Sequence, residues 1–282
     1  MRPVIAILTD FGTRDPFIAI MKGVMRRLSP NADFIDVTHD IEAQNVRQAA
    51  FTLLNSWRWF PSGTIFLCVV DPGVGSERRA LVASAGGCHF VAPDNGLLSW
   101  TLAESPPDGI ISAENSAWYL ENVSHTFHGR DIFAPLAAHL ACGVGPGDLG
   151  PAISGIEHLP EPRLEQQSEG LHAEVVDIDR FGNLVSSVGD CRWREDGTLL
   201  LSPRFGGGAP VELQADKLRI GLGDSEITGV RKTYSDVAAG ELLSCVGSSG
   251  FLESGINQGN AARELGIAVG DTITLGWTCN NS

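Results

Sequence analysis

Basic residues are scarce in this chain of 282 residues: 20 Lys and Arg stand against 34 Asp and Glu, a net charge of −14. A surface that neutralises phosphates needs the opposite sign, so nucleic acid is not expected as a partner. Long apolar runs are missing too. None reaches the roughly 18 residues of a membrane helix, so no membrane association is expected. The stretch from Met1 to Asp10 has one Arg and a short apolar run with no small-residue cleavage site after it, so no secretory leader is expected. The six cysteines, Cys68, Cys88, Cys142, Cys191, Cys245 and Cys279, form no CxxC pair. They read as small buried residues of a cytoplasmic protein rather than as a disulfide or zinc framework. Apolar residues make up 43% of the chain, which is too many for a disordered one. The excess of acid favours a soluble surface and a cationic small ligand.

At about 150 residues per domain, the length predicts one large or two modest domains. The first half alternates strand and helix patterns. Pro3 to Leu8 reads as a buried strand, followed by Asp10-Phe11-Gly12. Asp15 suits an N-cap and Pro16 a first helical turn. Phe17, Met21, Val24, Met25 and Leu28 then recur at helical spacing up to Ser29-Pro30. Phe34 to Asp40 reads as a second strand. Val46, Ala49, Ala50, Leu53, Leu54 and Trp57 mark a second helix. Gly63 to Gly75 is a third strand running into a glycine-rich loop, with shorter runs at Ala80 to Ala85 and His89 to Pro93. A further helix is predicted from Asp131 to Ala141. This order predicts an α/β domain with a parallel sheet covered on both faces. From Gly143 to Gln167 the composition turns to Gly and Pro without a period, as in a linker. After it come short strand-like runs, HAEVVDID, GNLVSSV, GTLLLSP, ELLSCVG and DTITLGW, which predict a smaller all-β domain. The expected division is an α/β catalytic domain over 1–160, a linker over 161–170, and a β-barrel-like substrate-pocket domain over 171–282.

In open parallel sheets, ligands bind beyond the carboxyl ends of the strands. Three polar segments are expected there: Asp10-Phe11-Gly12, the run from Asp71 to Arg78, and the run from Thr126 to Asp131. Asp94-Asn95-Gly96 is a further acidic turn. Each alone is ordinary turn chemistry. His125 and His128 lack carboxylates at a recognised ligand spacing, so no metal is expected. DPGVG lacks the Gly-Lys-Ser/Thr ending of a phosphate loop. TDFG stands without the other segments of a kinase.

Together the segments are far more specific. TDFGTRD, VVDPGVGSERR, APDNGLLS, TFHGRDIFAP, IDRFGN and GSSGFLESGINQGNAARELG occur in that order across nearly the whole chain. The pattern resembles the S-adenosyl-L-methionine (SAM) hydroxide adenosyltransferase family, the SAM hydrolases, related to fluorinase and chlorinase. The resemblance implies an α/β domain plus a C-terminal β-barrel. It also implies a homotrimer with sites between subunits, and conversion of SAM and water into adenosine and L-methionine without metal or organic cofactor. The family's catalytic Asp-Arg-His set falls on Asp71, Arg78 and His128. Asp10 matches the carboxylate that holds both ribose hydroxyls, and Asp15 a position near the methionine amino group. Asp179, Phe181 and Asn183 match a pocket wall: a carboxylate for the ammonium, an aromatic for stacking and an amide for the adenine edge. Tyr234 matches a second aromatic wall. Ser248, Ser249 and Asn257 fall in the stretch that closes over adenine and the methionine carboxylate, although fluorinase has Arg where Ser249 stands.

The implied chemistry suits these residue types. A sulfonium departs as a neutral thioether and needs no general acid. Water, with a pKa of about 15.7, is a weak nucleophile that must be oriented and relieved of a proton. A His is able to accept that proton, an Asp to hold the water and favour the sulfonium, and an Arg, always charged, to orient the Asp; residue types alone leave open which of the three takes the proton. Fluorinase has Tyr and Thr where this chain has Asp71 and Val74, and Tyr-Ser where it has His128-Gly129. A carboxylate beside the nucleophile repels halide and favours water. The readings to be separated are a hydrolase, a halogenase, a SAM- or adenosine-binding module without turnover, and a metal-dependent hydrolase.

Overall fold

The computed structural model describes residues 2–167 and 170–276. The chain divides into two compact units, Met1–Leu159 and Pro160–Ser282. In the first unit the order is β1 (Val4–Thr9), α1 (Phe17–Leu28), β2 (Asp33–Thr38), α2 (Val46–Ser56), β3 (Ile65–Val69), β4 (Ala80–Ala85) and β5 (Cys88–Pro93). Then come α3 (Ser99–Glu104), β6 (Gly109–Ser112) and α4 (Ala134–Ala141). The six strands form one sheet in the order β2-β1-β3-β5-β4-β6.

That sheet is mixed, which corrects the expected parallel one. β2, β1, β3 and β5 pair in parallel, but β4 runs against both its neighbours, β5 and β6. The cause is the two-residue connection between β4 and β5. Gly86 and Gly87 both have positive φ, 56° and 75°, the backbone that a tight hairpin turn requires and that only glycine adopts freely. A parallel pairing would need a crossover of a dozen or more residues.

Side chains alternate across this sheet, and each face gathers one set. Ile5, Ile7, Ile65, Leu67 and Val69 pack with α1 and α4, where Met21, Met25, Leu136 and Leu140 are buried. Ala6, Leu8, Phe66, Cys68 and Phe90 pack on the other face with Leu53 of α2 and Leu102 of α3. Burying one such Leu or Ile side chain stabilises by roughly 1.5–3 kcal/mol.

Two helix starts differ from expectation. Pro16, not Asp15, holds the cap position of α1, with no side-chain cap bond. Asp15 lies one residue too far out to reach the first free N–H groups. Phe17 is accordingly 41% exposed, while Ile18, Met21 and Met25 form the buried stripe. The helix predicted from Asp131 begins instead as a π-helical turn, Gly129–Phe133, that runs on into α4. Pro135 cannot donate to the carbonyl of Asp131. That carbonyl accepts from the Leu120 N–H at 2.9 Å instead.

The second unit is built of strands. They are β7 (Leu164–Gln167), β8 (Gly170–Ile178), β9 (Leu184–Ser186), β10 (Cys191–Trp193), β11 (Thr198–Leu201), β12 (Val211–Gln214), β13 (Arg219–Leu222), β14 (Ser225–Thr228), β15 (Val230–Arg231), β16 (Leu242–Val246), β17 (Leu252–Ile256) and β18 (Thr272–Gly276). One short helix, α5 (Ala261–Leu265), precedes β18. The main sheet runs β14-β13-β18-β8-β9-β17-β16-β15, with β7 also on β8, and β14 returns against β16 to give a nearly closed barrel. β8 makes this bend possible. Its ladder with β9 shifts register between Val175 and Asp177, so its first half pairs with β7 and β18 and its second with β9. β10, β11 and β12 form a separate small sheet. The segment 161–170, expected as linker, thus contributes β7 to the barrel, because Leu164 is buried against it.

Cys68, Cys88, Cys191 and Cys245 are buried and free, in line with the sequence reading. Cys142 is exposed, because α4 ends there and its cap faces solvent. Cys279 lies outside the described residues. Among the described residues no helix is long and apolar enough to cross a membrane.

Candidate active site

Thr9 pairs with Val69 in the β1–β3 ladder. Asp10 and Asp71 therefore leave neighbouring strands at the same carboxyl edge. The loop from Asp71 turns twice: the Val74 N–H donates to the Asp71 carbonyl, and the Ser76 N–H and hydroxyl donate to the Gly73 carbonyl at 3.0 and 2.6 Å. Gly75 is obligatory in this loop. Its φ is 80°, and a Cβ there would lie 2.6 Å from the His125 carbonyl oxygen. Arg78 ends the loop facing back at Asp71. Its Nε donates to both carboxylate oxygens at 3.0 Å, and Nη2 donates to Oδ2 at 2.5 Å. Both side chains are nearly buried, at 10% and 5% exposure. The guanidinium carbon also sits 5.0 Å from the centre of the Phe133 ring. A charge-assisted pair of this kind is strong and fixed in direction.

His128 completes the set. Its Nδ1 lies 2.8 Å from Arg78 Nη2. A guanidinium has donors only, so Nδ1 must accept and the ring proton sits on Nε2. Burial lowers the His128 pKa and the Arg78 charge lowers it further, against an opposing pull from Asp71 and Asp131. The imidazole is therefore neutral at pH 7 and presents Nε2–H as a donor. Asp131 is fully buried beneath this turn. It accepts from Arg130 Nε and Nη2 at 2.6 and 2.9 Å, and from the Ser124 N–H at 2.9 Å. Burial works to raise its carboxyl, but these bonds outweigh it and hold the pKa low.

Asp10 accepts from the backbone N–H of Gln44 at 2.8 Å through Oδ2. Its turn is tied down at Gly12, whose N–H donates to the His39 carbonyl at 2.8 Å. Phe11, Phe17 and Phe127 meet edge to face, with ring centres 5.2–6.1 Å apart. Their cluster abuts Gly129, whose nearest neighbours include Phe11 and Phe127. Asp15 is exposed on the approach to α1. Among the described residues no group of three or more His, Cys, Asp or Glu is placed to hold a metal ion.

The second unit carries a cleft of about 510 Å³ lined by Phe181, Asn183, Tyr234, Ile256, Asn257, Gln258 and Gly259. Phe181 is 73% exposed, an unusual position for a large aromatic unless something covers it. The Asp179 carboxylate organises this wall. It accepts from the Phe181 and Asn183 N–H groups at 2.9 Å and from Asn183 Nδ2 at 2.8 Å. The Asn183 amide is thereby oriented, with Oδ1 as its remaining acceptor. The Tyr234 hydroxyl donates to Glu253 Oε1 at 2.8 Å. Burial pushes its pKa up and the Glu253 bond pushes it further, so the phenol stays protonated. Asn257 Nδ2 donates to the Val237 carbonyl. Ser248 and Ser249 stand in the turn between β16 and β17 and do not line this cleft.

The structure therefore joins Asp71, Arg78 and His128 in one network, and Phe181, Asn183, Tyr234 and Asn257 in one cleft backed by Asp179. Sequence reading missed Gln44, Glu253 and Gln258. Glu253 carries no pattern beyond strand alternation. Gln44 and Gln258 owe their places to positive φ, 68° and 59°, which glutamine does not signal.

A family model described as the SAM hydroxide adenosyltransferase N-terminal domain matches residues 5–150, and one described as its C-terminal domain matches residues 173–274. An (R)-S-adenosyl-L-methionine hydrolase of Salinispora tropica is 38% identical over 277 residues, 97% of each chain. A fluorinase of an Actinoplanes species is 28% identical over 213 residues, covering 66% of this chain and 72% of its own. The crystal structure of an uncharacterized conserved protein from Thermotoga maritima superposes with a TM-score of 0.83 at 35% identity, covering 96% of this chain and 99% of that one. With both family models matched in order over most of its length, the chain belongs to the SAM hydroxide adenosyltransferase family.

Proposed function

We propose that this protein is a SAM hydrolase: water attacks C5′ of the ribose, the C5′–S bond breaks, and adenosine and L-methionine leave. The observation that carries this reading is the network of Asp71, Arg78 and His128. The sulfur takes the bonding electron pair and departs uncharged. The attacking oxygen becomes a protonated alcohol, a strong acid, so its proton passes readily to a carboxylate. Asp71 is the acceptor in this scheme. Oδ1 takes one hydrogen bond from Arg78 where Oδ2 takes two, which leaves Oδ1 a lone pair for water. Arg78 is the positioning residue that holds the carboxylate plane and compensates its charge. His128 donates from Nε2 to the water oxygen and fixes its direction behind C5′; its Nδ1 lone pair is already used by Arg78. Placing the nucleophile in line contributes several kcal/mol, up to about 7–11 for ideal orientation.

Asp10 holds the ribose diol in this proposal, and Asp15 lies near the methionine amino group. Asp179 braces Asn183 and supplies charge for the ammonium. Phe181 and Tyr234 flank adenine, Asn183 Oδ1 accepts from its amino group, and Ser248, Ser249 and Asn257 close over the ligand. Residues 1–160 would then supply the chemistry and 171–282 the pocket, across subunits of a homotrimer. The buried free thiols suit a reducing compartment, so the cytoplasm is the proposed location. No metal or organic cofactor is required.

The test is incubation of the purified protein with SAM in ¹⁸O-water plus chloride, read by mass spectrometry. Adenosine labelled at the 5′ oxygen is expected. A 5′-chloro product would mean a halogenase, and binding without product would mean a ligand-binding module. Light scattering at three times the monomer mass is expected; a fully active monomer rules out a shared site.

A further inference from the structure

Two non-glycine residues among those described adopt left-handed backbone, Gln44 and Gln258. A glutamine in this region persists only where its surroundings impose it, and such positions concentrate at functional sites. At Gln44 the surroundings are explicit. The Asn45 N–H and side-chain amide donate to Glu42 at 2.9 and 3.1 Å. Asn45 (φ −81°, ψ 80°) makes an inverse γ-turn that brings the Val46 N–H within 3.0 Å of the Gln44 carbonyl. Asn45 Oδ1 caps α2 by accepting from the Gln48 N–H at 2.9 Å, and Gln48 Oε1 accepts from the Glu42 N–H at 2.8 Å. The loop is thus locked onto the first turn of α2. From that frame the Gln44 N–H reaches Asp10 Oδ2 at 2.8 Å.

The turn that carries Asp10 is held on its backbone by the bonds from Phe11 to Thr9 Oγ1 (3.3 Å) and from Gly12 to the His39 carbonyl. The freedom left to Asp10 is rotation of its carboxylate. We propose that Gln44 is a positioning residue: its left-handed backbone aims an N–H at Oδ2 and sets the plane in which Asp10 meets the ribose diol. This rests on the reading of Asp10 as the ribose-binding carboxylate. A right-handed Gln44 would turn that N–H away.

The test compares Gln44→Gly with Gln44→Val. Glycine adopts this backbone freely, and a β-branched residue resists it most. Losing a hydrogen bond to a charged group predicts a KM for SAM about tenfold higher in the valine variant than in the glycine variant. Their kcat values should lie within about twofold, because the ribose hydroxyls do not react and their grip is shared by ground and transition states. In an Asp10→Ala background the KM ratio should fall to about one, since the partner is gone. Equal KM in the two variants, with Asp10→Ala alone raising KM, overturns the inference and leaves the ribose reading standing. An Asp10→Ala protein with unaltered KM overturns the ribose reading itself. Should the valine variant not fold, the backbone amide resonance of Gln44 in the parent protein decides the matter. It should be protected from hydrogen exchange with solvent and lose that protection in Asp10→Ala; an amide whose exchange is indifferent to Asp10 overturns the inference.

Discussion

Replacing His128 by glutamine separates two mechanisms that predict different rates. The observed imidazole accepts from Arg78 at Nδ1 and carries its proton on Nε2. In the proposed mechanism it orients water as a donor, with its Nδ1 lone pair already taken by Arg78. Glutamine keeps an N–H near the Nε2 position, has no basic nitrogen, and gives up the bond to Arg78. A hydrogen bond to a charged group is worth about 1.5–3 kcal/mol, and Arg78 keeps its bonds to Asp71, so the lower end applies. About 1.4 kcal/mol at the transition state is a tenfold loss of kcat. Removing a true general base costs about 10²–10⁴. The assay is initial-rate adenosine formation by liquid chromatography from pH 5 to pH 9. In the parent, activity should fall on the acid side below about pH 6.5, since protonating Nδ1 sets two donors against each other and the His128 pKa is lowered. In His128→Gln that acid limb should vanish while about a tenth of the rate remains. A loss of about a thousandfold in a folded His128→Gln protein would refute the donor assignment and make His128 the base.

Three further outcomes are expected. Asp71→Ala should lower kcat by about a hundredfold or more, as for loss of a general base, and cost about 3 kcal/mol of stability, because it strands the buried Arg78 charge; near-parental turnover would remove Asp71 from the chemistry. Asp10→Ala should raise KM with little change in kcat, as steady-state kinetics can check. Asp131 is held below the usual carboxylate range, so its contribution to stability is complete above about pH 3.9 and is lost as pH falls through the lower folded value. Arg130→Leu should therefore raise the midpoint of acid unfolding followed by circular dichroism. It should cost about 2 kcal/mol at pH 7, less than a fully buried pair because Arg130 is one-third exposed; an unmoved midpoint would count against this pairing.

Local alternation made β1, β3 and both faces of the first sheet legible, since Ile5 and Leu67 face one way and Ala6 and Phe66 the other. The direction of β4 was equally present in the sequence, as a Gly-Gly pair between two short apolar runs, but the βαβ rhythm before it argued for another parallel strand. In the second unit the short strands β12 to β15 escaped notice. Their alternation spans four residues or fewer, too few to carry a period, and long-range pairing decides them. For the site, residue types and spacing were enough to nominate Asp71, Arg78 and His128. They were not enough to give the tautomer of His128, which depends on where one guanidinium nitrogen lies. Asp15 misled as a cap, because a helix start shifts by one residue without altering composition.

The reversal of β4 also explains how six residues suffice between Asp71 and Arg78. β3 and β4 are not neighbours; β5 lies between them, so their ends are two strand spacings, about 9–10 Å, apart. Because β4 runs backwards, the chain leaves β3 and enters β4 at the same edge. The loop has only to step across the end of β5, where Asn95 donates to the Val70 carbonyl at 2.8 Å. Its span is a ruler cut to the width of the sheet. Most surface loops absorb an extra residue at little expense, but here one insertion would slide the guanidinium off the carboxylate while leaving the fold intact. The loop is accordingly a transplantable unit only for sheets that keep a reversed strand two places from the donor strand, a constraint that a designer would have to build before grafting a single side chain.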